Sequence, residues 1–518
     1  MWMESNSQKE DIMERVKIGW GRREISMEGP VSIPGQMYVR ISKGVLDPLY
    51  ATALCVDGGE GQKTVIFCSV DVVVLGKGII KETVRRCKER YPDMPAEAII
   101  MNATHTHSSI NYWSDRVVTP DGVEALAGQK VYDHVCNNIV DACCEARNSR
   151  TEGGIGYGYG YAVVGHSRRV CYTTVRGNTS PASGAPAGTS VMYGGTRVPE
   201  FSHYEAGADH FLNAMFTFDR EDQLTGMILN VPCPSQVSEN FEMLSSDYWH
   251  DVRQLVKTEF GPDVKVVTQC GCAGDLAPRL LHYGQAQARR MQLKYGMGYD
   301  LSKIQRLNEH DINKRMAERK DIAERIVEAA KEVYSWAKNE IFTQVPVDHA
   351  AKEMQLKRRV ITAEEKAWCE SNIAWLEENM PTGEGMTDDE KRIKISSYNS
   401  YINRNKRAIE RFRTQDEDPT QPHLTHVARI GDICFATNRF ELYQDFMHRL
   451  QARSPFIQTF TVQMAGTEES CYLATERGAQ GKGYSASLFC NQVGAEGGQQ
   501  LVEETLEILN EMKAKDEA

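Results

Sequence analysis

A buried strand that runs directly into two closely spaced histidines constrains the fold more than any other stretch of the chain. The apolar run Ala98–Met101 is followed by Asn102–Ser109, which reads Asn-Ala-Thr-His-Thr-His-Ser-Ser. A short apolar run of this kind predicts a buried strand. If the strand conformation continues through the motif, His105 and His107 point to the same side, because side chains two apart in a strand share a face. The sequence then predicts that both imidazoles converge at the end of a strand.

Two interpretations of the paired histidines remain open at this point. Two neutral imidazoles in a polar pocket suit a divalent ion such as Zn²⁺. A hydroxyl-rich loop whose histidines form hydrogen bonds with the backbone would give the same short pattern. The motif alone favours neither interpretation.

The order of predicted elements around the motif is that of an α/β protein. A predicted strand over 64–71 ends in Asp71, a helix follows at about 78–90, and the strand before the histidines comes next. Proteins with this β–α–β order place their sites where strands end. Because strand and helix patterns continue to the C-terminus, we predict a mixed α/β (α+β) fold of mixed sheets covered by helices. Further strands are predicted near 211–218, 227–231, 264–268, 426–436 and 458–464, and further helices near 247–260, 442–453 and 499–513.

A strongly charged helical segment occupies 363–413 and is interrupted by Pro381–Gly385. This pattern predicts a helical hairpin inserted between strands, and its charges indicate a solvated face. Length alone would suggest more than one domain. We nevertheless predict one domain over residues 1–518 that contains the hairpin.

Composition excludes several classes of partner. The net charge of −11 gives no electrostatic reason to bind nucleic acid or an anionic membrane. No apolar run reaches the length of a membrane span, and the first residues lack the apolar core of a secretory signal. The 14 cysteines are scattered, as in a reducing compartment, and do not form a disulfide framework. We therefore expect a cytoplasmic protein that acts on a small molecule, and we leave homo-oligomer formation open.

Four separated stretches together resemble one known family. They are 102–108, close to a Thr-His-Thr-His-Ser-Gly signature; 274–278, Gly-Asp-Leu-Ala-Pro, like Gly-Asp-Val-Ser-Pro; 437–441, leading to Ala-Arg-Ser-Pro at 452–455; and 472–476, with a second tyrosine at 484. In this order along the chain, they resemble the catalytic domain of the neutral/alkaline, non-lysosomal ceramidases. The resemblance spans roughly 19–484 at low identity.

The resemblance implies a zinc site built from distant parts of the chain. His105, Glu441 and Tyr472 fall where the family has zinc-binding residues. The family's remaining ligand is a histidine in an Ala-Val-His-Pro-Thr turn, and the matching run here, 231–235, has Cys233 in its place. Because thiolate binds zinc well, we expect Cys233 to be the fourth ligand. The alternative is that Cys233 is a buried apolar side chain and that the metal site has been lost.

The resemblance also assigns catalytic roles. His107 matches a histidine that moves protons beside the metal, and Asp275 matches an acid needed near the site. Tyr484 and Arg168 fall where the family positions and polarises the amide carbonyl. Ala277 replaces the family's serine. A serine nucleophile is therefore excluded at this position, and a metal-activated water is the expected attacking group.

The expected function is that of a zinc-dependent hydrolase, an amidase that cleaves the C–N bond of a small or amphiphilic N-acyl compound. We expect a divergent member that lacks the family's secretion signal and its C-terminal immunoglobulin-like domain. Because the chain shows no amphipathic anchor, membrane ceramide is not the expected substrate. One alternative is a metal-dependent carbohydrate hydrolase or lyase that acts on a C–O bond, since Asn111, Tyr112 and Trp113 would suit a sugar. Another is a metal-free binding protein, with Cys233 and Ala277 as the traces of lost catalysis.

Overall fold

The computed structural model of the chain describes residues 14–113, 125–176, 186–296, 312–466 and 471–516. Its strands are β1 (Lys17–Glu24), β2 (Ser32–Ile33), β3 (Arg40–Ile41), β4 (Tyr50–Asp57), β5 (Thr64–Val70), β6 (Ile99–Ala103), β7 (Thr151–Tyr161), β8 (His166–Ser167), β9 (Arg169–Arg176), β10 (Gly188–Met192), β11 (Phe201–Tyr204), β12 (Phe211–Asp219), β13 (Leu224–Val231), β14 (Lys265–Cys270), β15 (Leu276–Ala277), β16 (Val347–Lys357), β17 (Thr420–Ile430), β18 (Ile433–Thr437), β19 (Glu441–Leu442), β20 (Gln458–Val462) and β21 (Tyr472–Leu473). Its helices are α1 (Lys77–Arg90), α2 (Gln129–Asn148), α3 (Tyr248–Phe260), α4 (Gly284–Tyr295), α5 (Ile312–Ala337), α6 (Ala363–Glu378), α7 (Asp388–Thr414), α8 (Gln444–Arg453), α9 (Glu476–Gly481) and α10 (Ala495–Ala514). The predicted mixed α/β fold is confirmed.

Two mixed sheets face each other across an apolar layer. The larger sheet has the strand order β14-β13-β12-β7-β1-β4-β5-β6, and the smaller has the order β16-β17-β18-β20. Their facing sides bury large side chains, and the ring of Phe435 lies 4.6 Å from that of Phe67 and 4.4 Å from that of Phe460. Strand β5 shows why such segments form strands, because its Thr-Val-Ile-Phe-Cys-Ser-Val sequence is rich in β-branched and aromatic residues.

Helices cover the outer faces of both sheets. Helices α1 and α2 pack on the half of the large sheet that contains β4 and β5, while α3 and α5 cover the half that contains β12 and β13. Helix α2 lies very close to β1, since a Cβ at Gly19 or Gly21 would be 2.0 Å from a carbonyl oxygen of the helix. Helices α8 and α10 cover the small sheet. No helix within the described ranges is both long enough and apolar enough to cross a membrane.

The carboxyl ends of three parallel strand pairs meet at one edge of the two sheets. The pairs are β5 with β6, β13 with β14, and β18 with β20. Buried asparagines tie these ends together: Asn102 Nδ2 donates to Thr268 O at 3.1 Å, and Asn230 Nδ2 donates to Thr461 O at 2.9 Å. Loops that leave the carboxyl ends of parallel strands are where open α/β sheets bind ligands. The fold therefore gathers loops from both sheets at one edge.

Helices α6 and α7 occupy the segment for which the sequence predicts a hairpin. Each begins with a capping box, formed by Thr362 with Glu365 and by Thr387 with Glu390. The pair lies beside the same edge of the sheets, because Val39 N donates to Ser396 Oγ at 3.0 Å. The single-domain organisation over 1–518 stays a prediction.

Candidate active site

The two histidines of the motif meet through a turn, which differs from the predicted strand. Strand β6 ends at Ala103, and His105 has a φ of 60°, in the left-handed region that is uncommon for residues other than glycine. The prediction that the strand continues through the motif is therefore wrong. The turn nevertheless places His105 Nε2 3.5 Å from His107 Nε2, with the rings at 85°. The imidazoles converge as predicted, but left-handed backbone brings them together.

His105 is held in the orientation of a metal ligand. Its Nδ1 lies 2.6 Å from the carbonyl oxygen of Val73, which can only accept, so Nδ1 carries the proton. Its Nε2 then faces Glu441, whose Oε2 is 3.3 Å away. A carbonyl that fixes the outer nitrogen is the usual second partner of a histidine that binds a metal. Residues that meet only in the folded chain thus create a coordination geometry.

Glu441 and Tyr472 lie side by side because of strand register. Strands β19 and β21 are parallel, and Glu441 is the register partner of Tyr472. Arg168 Nη2 lies 3.3 Å from Glu441 Oε2 and 3.1 Å from Tyr472 Oη, and it donates to Gly274 O at 2.9 Å. Arg168 is fully buried. One guanidinium therefore fixes both oxygen-bearing side chains.

Charges in this pocket alter the acidity of its groups. Burial alone would raise the pKa of Glu441, but His105 and Arg168 lower it below the ordinary value. Burial raises the pKa of Tyr472 well above that of a free phenol, although Arg168 opposes the shift. Glu441 is therefore an anion, and Tyr472 is a neutral phenol.

His107 has its own set of partners. Gln236 Nε2 lies 2.7 Å from His107 Nε2, and Glu239 Oε2 lies 3.4 Å from His107 Nδ1. Burial, His105 and nearby arginines such as Arg40 lower the pKa of His107 well below its ordinary value. His107 is therefore neutral, with a lone pair on Nε2. Sequence reasoning missed Gln236 and Glu239, although they directly follow the turn that contains Cys233.

The structure places Cys233 in apolar surroundings. Its Sγ lies 3.5 Å from the carbonyl oxygen of Pro234, and its neighbours in the core include Val231 and Tyr248. Burial raises the pKa of the Cys233 thiol well above its ordinary value. Among the residues described, no contact joins Cys233 to the three other expected metal ligands. Its role as the fourth ligand stays a prediction, and its surroundings are those of a core side chain.

Tyr484 lies beside the candidate metal site. It begins a 3-10 turn after Gly483, and its ring centre is 6.1 Å from that of Tyr472 at an angle of 76°. Its hydroxyl is 3.9 Å from the sulfur of Met37. The phenol of Tyr484 therefore lies next to Tyr472.

Asp275 supports the site from behind. Its Oδ1 accepts a hydrogen bond of 3.1 Å from the backbone N–H of Gln444, the first residue of α8. Its own carbonyl accepts from Arg168 N at 3.0 Å. In the described structure no contact joins the Asp275 carboxyl to His105, Glu441 or Tyr472. Asp275 therefore positions the start of α8, three residues after Glu441, and its direct catalytic role stays a prediction.

Replacement of Asp275 by asparagine is expected to change how stability depends on pH. Burial raises the pKa of Asp275 to about 6, although the N–H of Gln444 opposes this shift. A carboxyl with a raised pKa binds its proton more tightly in the folded state, so its stabilising contribution falls as pH rises from about 4 to 6 and stays low above 6. The asparagine variant should therefore be more stable than the wild type above about pH 7, by up to about 3 kcal/mol, and similar near pH 4.

Urea unfolding between about pH 4 and pH 8 measures this difference. Asparagine keeps an oxygen that can accept from Gln444 N, so loss of the cap does not confound the comparison. Asp263→Asn, at an exposed position, controls for the loss of one negative charge. Parallel pH profiles for the wild type and the Asp275→Asn variant would contradict the prediction.

Two pairs of polar atoms are spaced as two ligands of one zinc ion would be. Two ligands at about 2.0–2.1 Å from a tetrahedral ion lie about 3.3 Å apart, and His105 Nε2 and Glu441 Oε2 are 3.3 Å apart. His107 Nε2, at 3.5 Å from His105 Nε2, meets the same criterion. Across the described ranges, no group of three or more His, Cys, Asp or Glu side chains is arranged to hold a metal. Tyr472 lies outside those residue types, so the candidate set combines a phenol with an imidazole and a carboxylate.

Part of the chain matches a known protein family. Residues 30–170 match the family model described as neutral/alkaline non-lysosomal ceramidase, N-terminal. A search of curated protein sequences gave no match.

Solved structures of ceramidases share the fold. A crystal structure of neutral ceramidase from Pseudomonas aeruginosa matches with a TM-score of 0.64 and 16% identity, over 96% of this chain and 75% of that chain. A structure described as ceramidase complexed with C2 matches with a TM-score of 0.63 and 14% identity, over 97% of this chain and 76% of that chain. The predicted resemblance is thus confirmed: the chain is similar in sequence to the neutral/alkaline non-lysosomal ceramidases over residues 30–170, and it has the ceramidase fold along nearly all of its length.

Proposed function

We propose that this protein is a zinc-dependent hydrolase that cleaves the C–N amide bond of a small or amphiphilic N-acyl compound. The observation that carries the proposal is the convergence of His105, Glu441 and Tyr472, with Nε2 of His105 3.3 Å from the carboxylate of Glu441. The similarity to ceramidases supports the choice of an amide bond. We propose a substrate other than membrane ceramide, and a cytoplasmic location remains a prediction.

His105, Glu441 and Tyr472 would hold the zinc ion, and Cys233 would complete the ligand set. When bound, zinc supplies a Lewis acid that polarises a carbonyl and lowers the pKa of a water molecule to about 7. Arg168 keeps Glu441 and Tyr472 oriented toward the same point, because it bonds both at once. Ala277 offers no nucleophilic side chain at the position next to the site.

The remaining site residues stabilise charge and move a proton. Tyr484 presents a phenol at the pocket wall, and a fixed donor to the oxygen of the substrate carbonyl lowers the barrier by about 3–4 kcal/mol. His107 is neutral and accepts at Nε2, so it can take a proton from the attacking water and deliver it to the leaving amine. Gln236 and Glu239 hold the ring of His107 in place.

A metal-free binding protein is the second candidate. It is favoured by the position of Cys233, which has the surroundings of a core residue. It is also favoured by Arg168, which already neutralises Glu441 without a metal. A carbohydrate hydrolase or lyase on the same scaffold is a further alternative, because exposed Trp113 and neighbouring Tyr112 would suit a sugar ring.

Removal of the metal is expected to abolish amide hydrolysis. Dialysis against a chelator should lower the rate of amine release from a panel of N-acyl amides by about 1,000-fold, because the metal contributes several kcal/mol of charge stabilisation. Addition of about one equivalent of zinc should restore it. A parallel panel of glycosides tests the alternative reaction. Full amide hydrolysis without metal, or failure of the purified protein to bind zinc, would refute the proposal.

A further inference from the structure

A cavity of about 640 Å³ lies next to the candidate active site. It opens between Val163 and His166 after β7, the segment 278–287, and helix α5. A volume of this size holds a small molecule or a large part of one. None of the proposed catalytic steps uses the cavity, so its chemistry is a separate question.

Tyr193 connects this cavity to residues of the candidate active site. Tyr193 lines the cavity, and its hydroxyl is 3.3 Å from Arg168 Nη1 and 3.4 Å from Gln236 Oε1. Its ring lies between two guanidinium groups. The ring centre is 5.9 Å from the guanidinium carbon of Arg168 and 5.5 Å from the guanidinium carbon of Arg279. Tyr193 therefore contacts both the cavity and Arg168, which itself contacts Glu441.

The cavity wall is strongly cationic. The side chains of Arg197, Arg279, Arg315 and Arg325 line it, and Glu318 is the one acidic residue among the described lining residues, although Arg279 also pairs with Glu239 outside the wall. This excess of positive charge stands out in a chain whose net charge is −11. A cavity lined by one sign of charge with low-dielectric walls concentrates ions of the opposite sign.

The acidic residue behind the wall does not cancel this charge. Asp321 accepts from Arg325 at 2.5 Å, but it also accepts from Arg290 and Lys294, each at 2.8 Å. Because Glu324 also pairs with Lys294, two carboxylates face three cations there. Arg315 pairs with Glu318 at 2.6 Å through Nη1 alone.

Two further features supply donors for an anion. Helix α4 begins at Gly284 without a side-chain cap, and its first residues line the cavity. The N–H groups of a first helical turn and the positive end of the helix dipole favour anions. Arg315 is only 3% exposed, and its Nε has no hydrogen-bond partner among the residues described. A buried cationic donor without a partner costs free energy that a bound anion would recover.

We propose that this cavity binds an oxyanion, a carboxylate, phosphate or sulfate group, that the substrate carries. The substrate class is then an acidic N-acyl compound, with its amide at the His105 site and its anionic group beyond Tyr193. The assignment to a substrate rests on the proposed hydrolase function. Anion binding itself does not depend on that function.

Calorimetric titration with sodium sulfate tests the anion site in the full-length protein, at constant ionic strength set with chloride. Arg197→Gln and Arg315→Gln should each weaken sulfate binding by about 10-fold or more, the expected effect of losing one hydrogen bond to a charged group. Arg289→Gln, at an exposed position of α4 outside the cavity wall, should change it by less than about twofold. Arg197 is exposed, so its variant decides the question if the buried Arg315 variant does not fold. Absence of sulfate binding, or equal effects of all three variants, would overturn the proposal.

Substrate kinetics then separate this proposal from the hydrolase function. A series from N-acetylglycine to longer N-acetyl-ω-amino acids is compared with the matching neutral methylamides. Acids should be preferred by about 10-fold in kcat/KM, mainly through KM, and Arg197→Gln should remove the preference. If no amide is hydrolysed but the wild type and His105→Ala both bind sulfate, the hydrolase function fails and the anion site stands. If methylamides react as fast as acids and sulfate does not bind, the anion site fails and the hydrolase stands.

Discussion

Replacement of His105 by alanine is expected to remove bound zinc and to lower kcat/KM for amide hydrolysis by about 1,000-fold. The imidazole is fixed by the Val73 carbonyl and faces Glu441 at 3.3 Å, so its loss removes one proposed ligand from the site. Zinc content after purification without added metal, together with amine release, measures both effects. The variant should still fold, because the substitution removes only one buried ionic contact, the contact with Glu441.

The matched control for this experiment is His134→Ala. His134 is also partly buried, and its Nε2 lies 3.1 Å from a backbone oxygen of Ser26, but it lies outside the site. It should keep its zinc and its activity. A His105→Ala variant that retains about one zinc per chain would contradict the assignment of His105 as a ligand.

Cys233→Ala, measured beside His105→Ala, decides between the two interpretations of that cysteine. Loss of zinc in the variant would identify Cys233 as the fourth ligand, as the resemblance implies. Retention of zinc would identify it as a core side chain, which agrees with its contact to Pro234. In that case His107, at 3.5 Å from His105 Nε2, is the remaining imidazole that can complete the site.

The sequence was informative where short-range pattern and motif decide the outcome. The apolar run before the histidines predicts β6, and the β–α–β order predicts the class of fold. It failed where backbone conformation is decided by tertiary context. No pattern indicates that His105 adopts a φ of 60°, because that conformation is imposed by the loop and the Val73 carbonyl.

The side chains around His107 show a second limit. Gln236 and Glu239 reach His107 only because the loop after β13 folds back against the histidine turn, where His107 N donates to Ser235 O at 3.3 Å. A contact between residues more than 120 positions apart leaves no periodic signal in one sequence. Glu441 and Tyr472 are predicted only through the family resemblance, and the strand register that pairs them leaves no signal in the sequence.

Replacement of Glu205 by alanine is expected to destabilise the folded protein by about 3–5 kcal/mol, because it leaves the guanidinium of Arg169 buried without its counter-ion. Both side chains are almost completely buried, and two hydrogen bonds of 2.7 and 2.6 Å join them. Arg169 also donates to the carbonyl oxygens of Gly478 and Lys482, at 3.1 and 2.8 Å. The pair therefore ties strand β9 to the segment between Tyr472 and Tyr484. Urea unfolding followed by far-UV circular dichroism gives the change in the free energy of unfolding.

The double variant Arg169→Met/Glu205→Leu separates the buried charge from the loss of packing. If the single variant is destabilised by an unpaired charge, removal of both charges should recover part of the lost stability. The recovery should be incomplete, because the carbonyls of Gly478 and Lys482 lose a donor. The surface pair Arg453–Glu503 provides the control, since Glu503→Gln breaks an equally short ion pair that solvent screens and should have a much smaller effect. A double variant less stable than Glu205→Ala would show that the pair contributes through its hydrogen bonds to the Tyr472–Tyr484 segment, which begins and ends with the two tyrosines of the proposed active site.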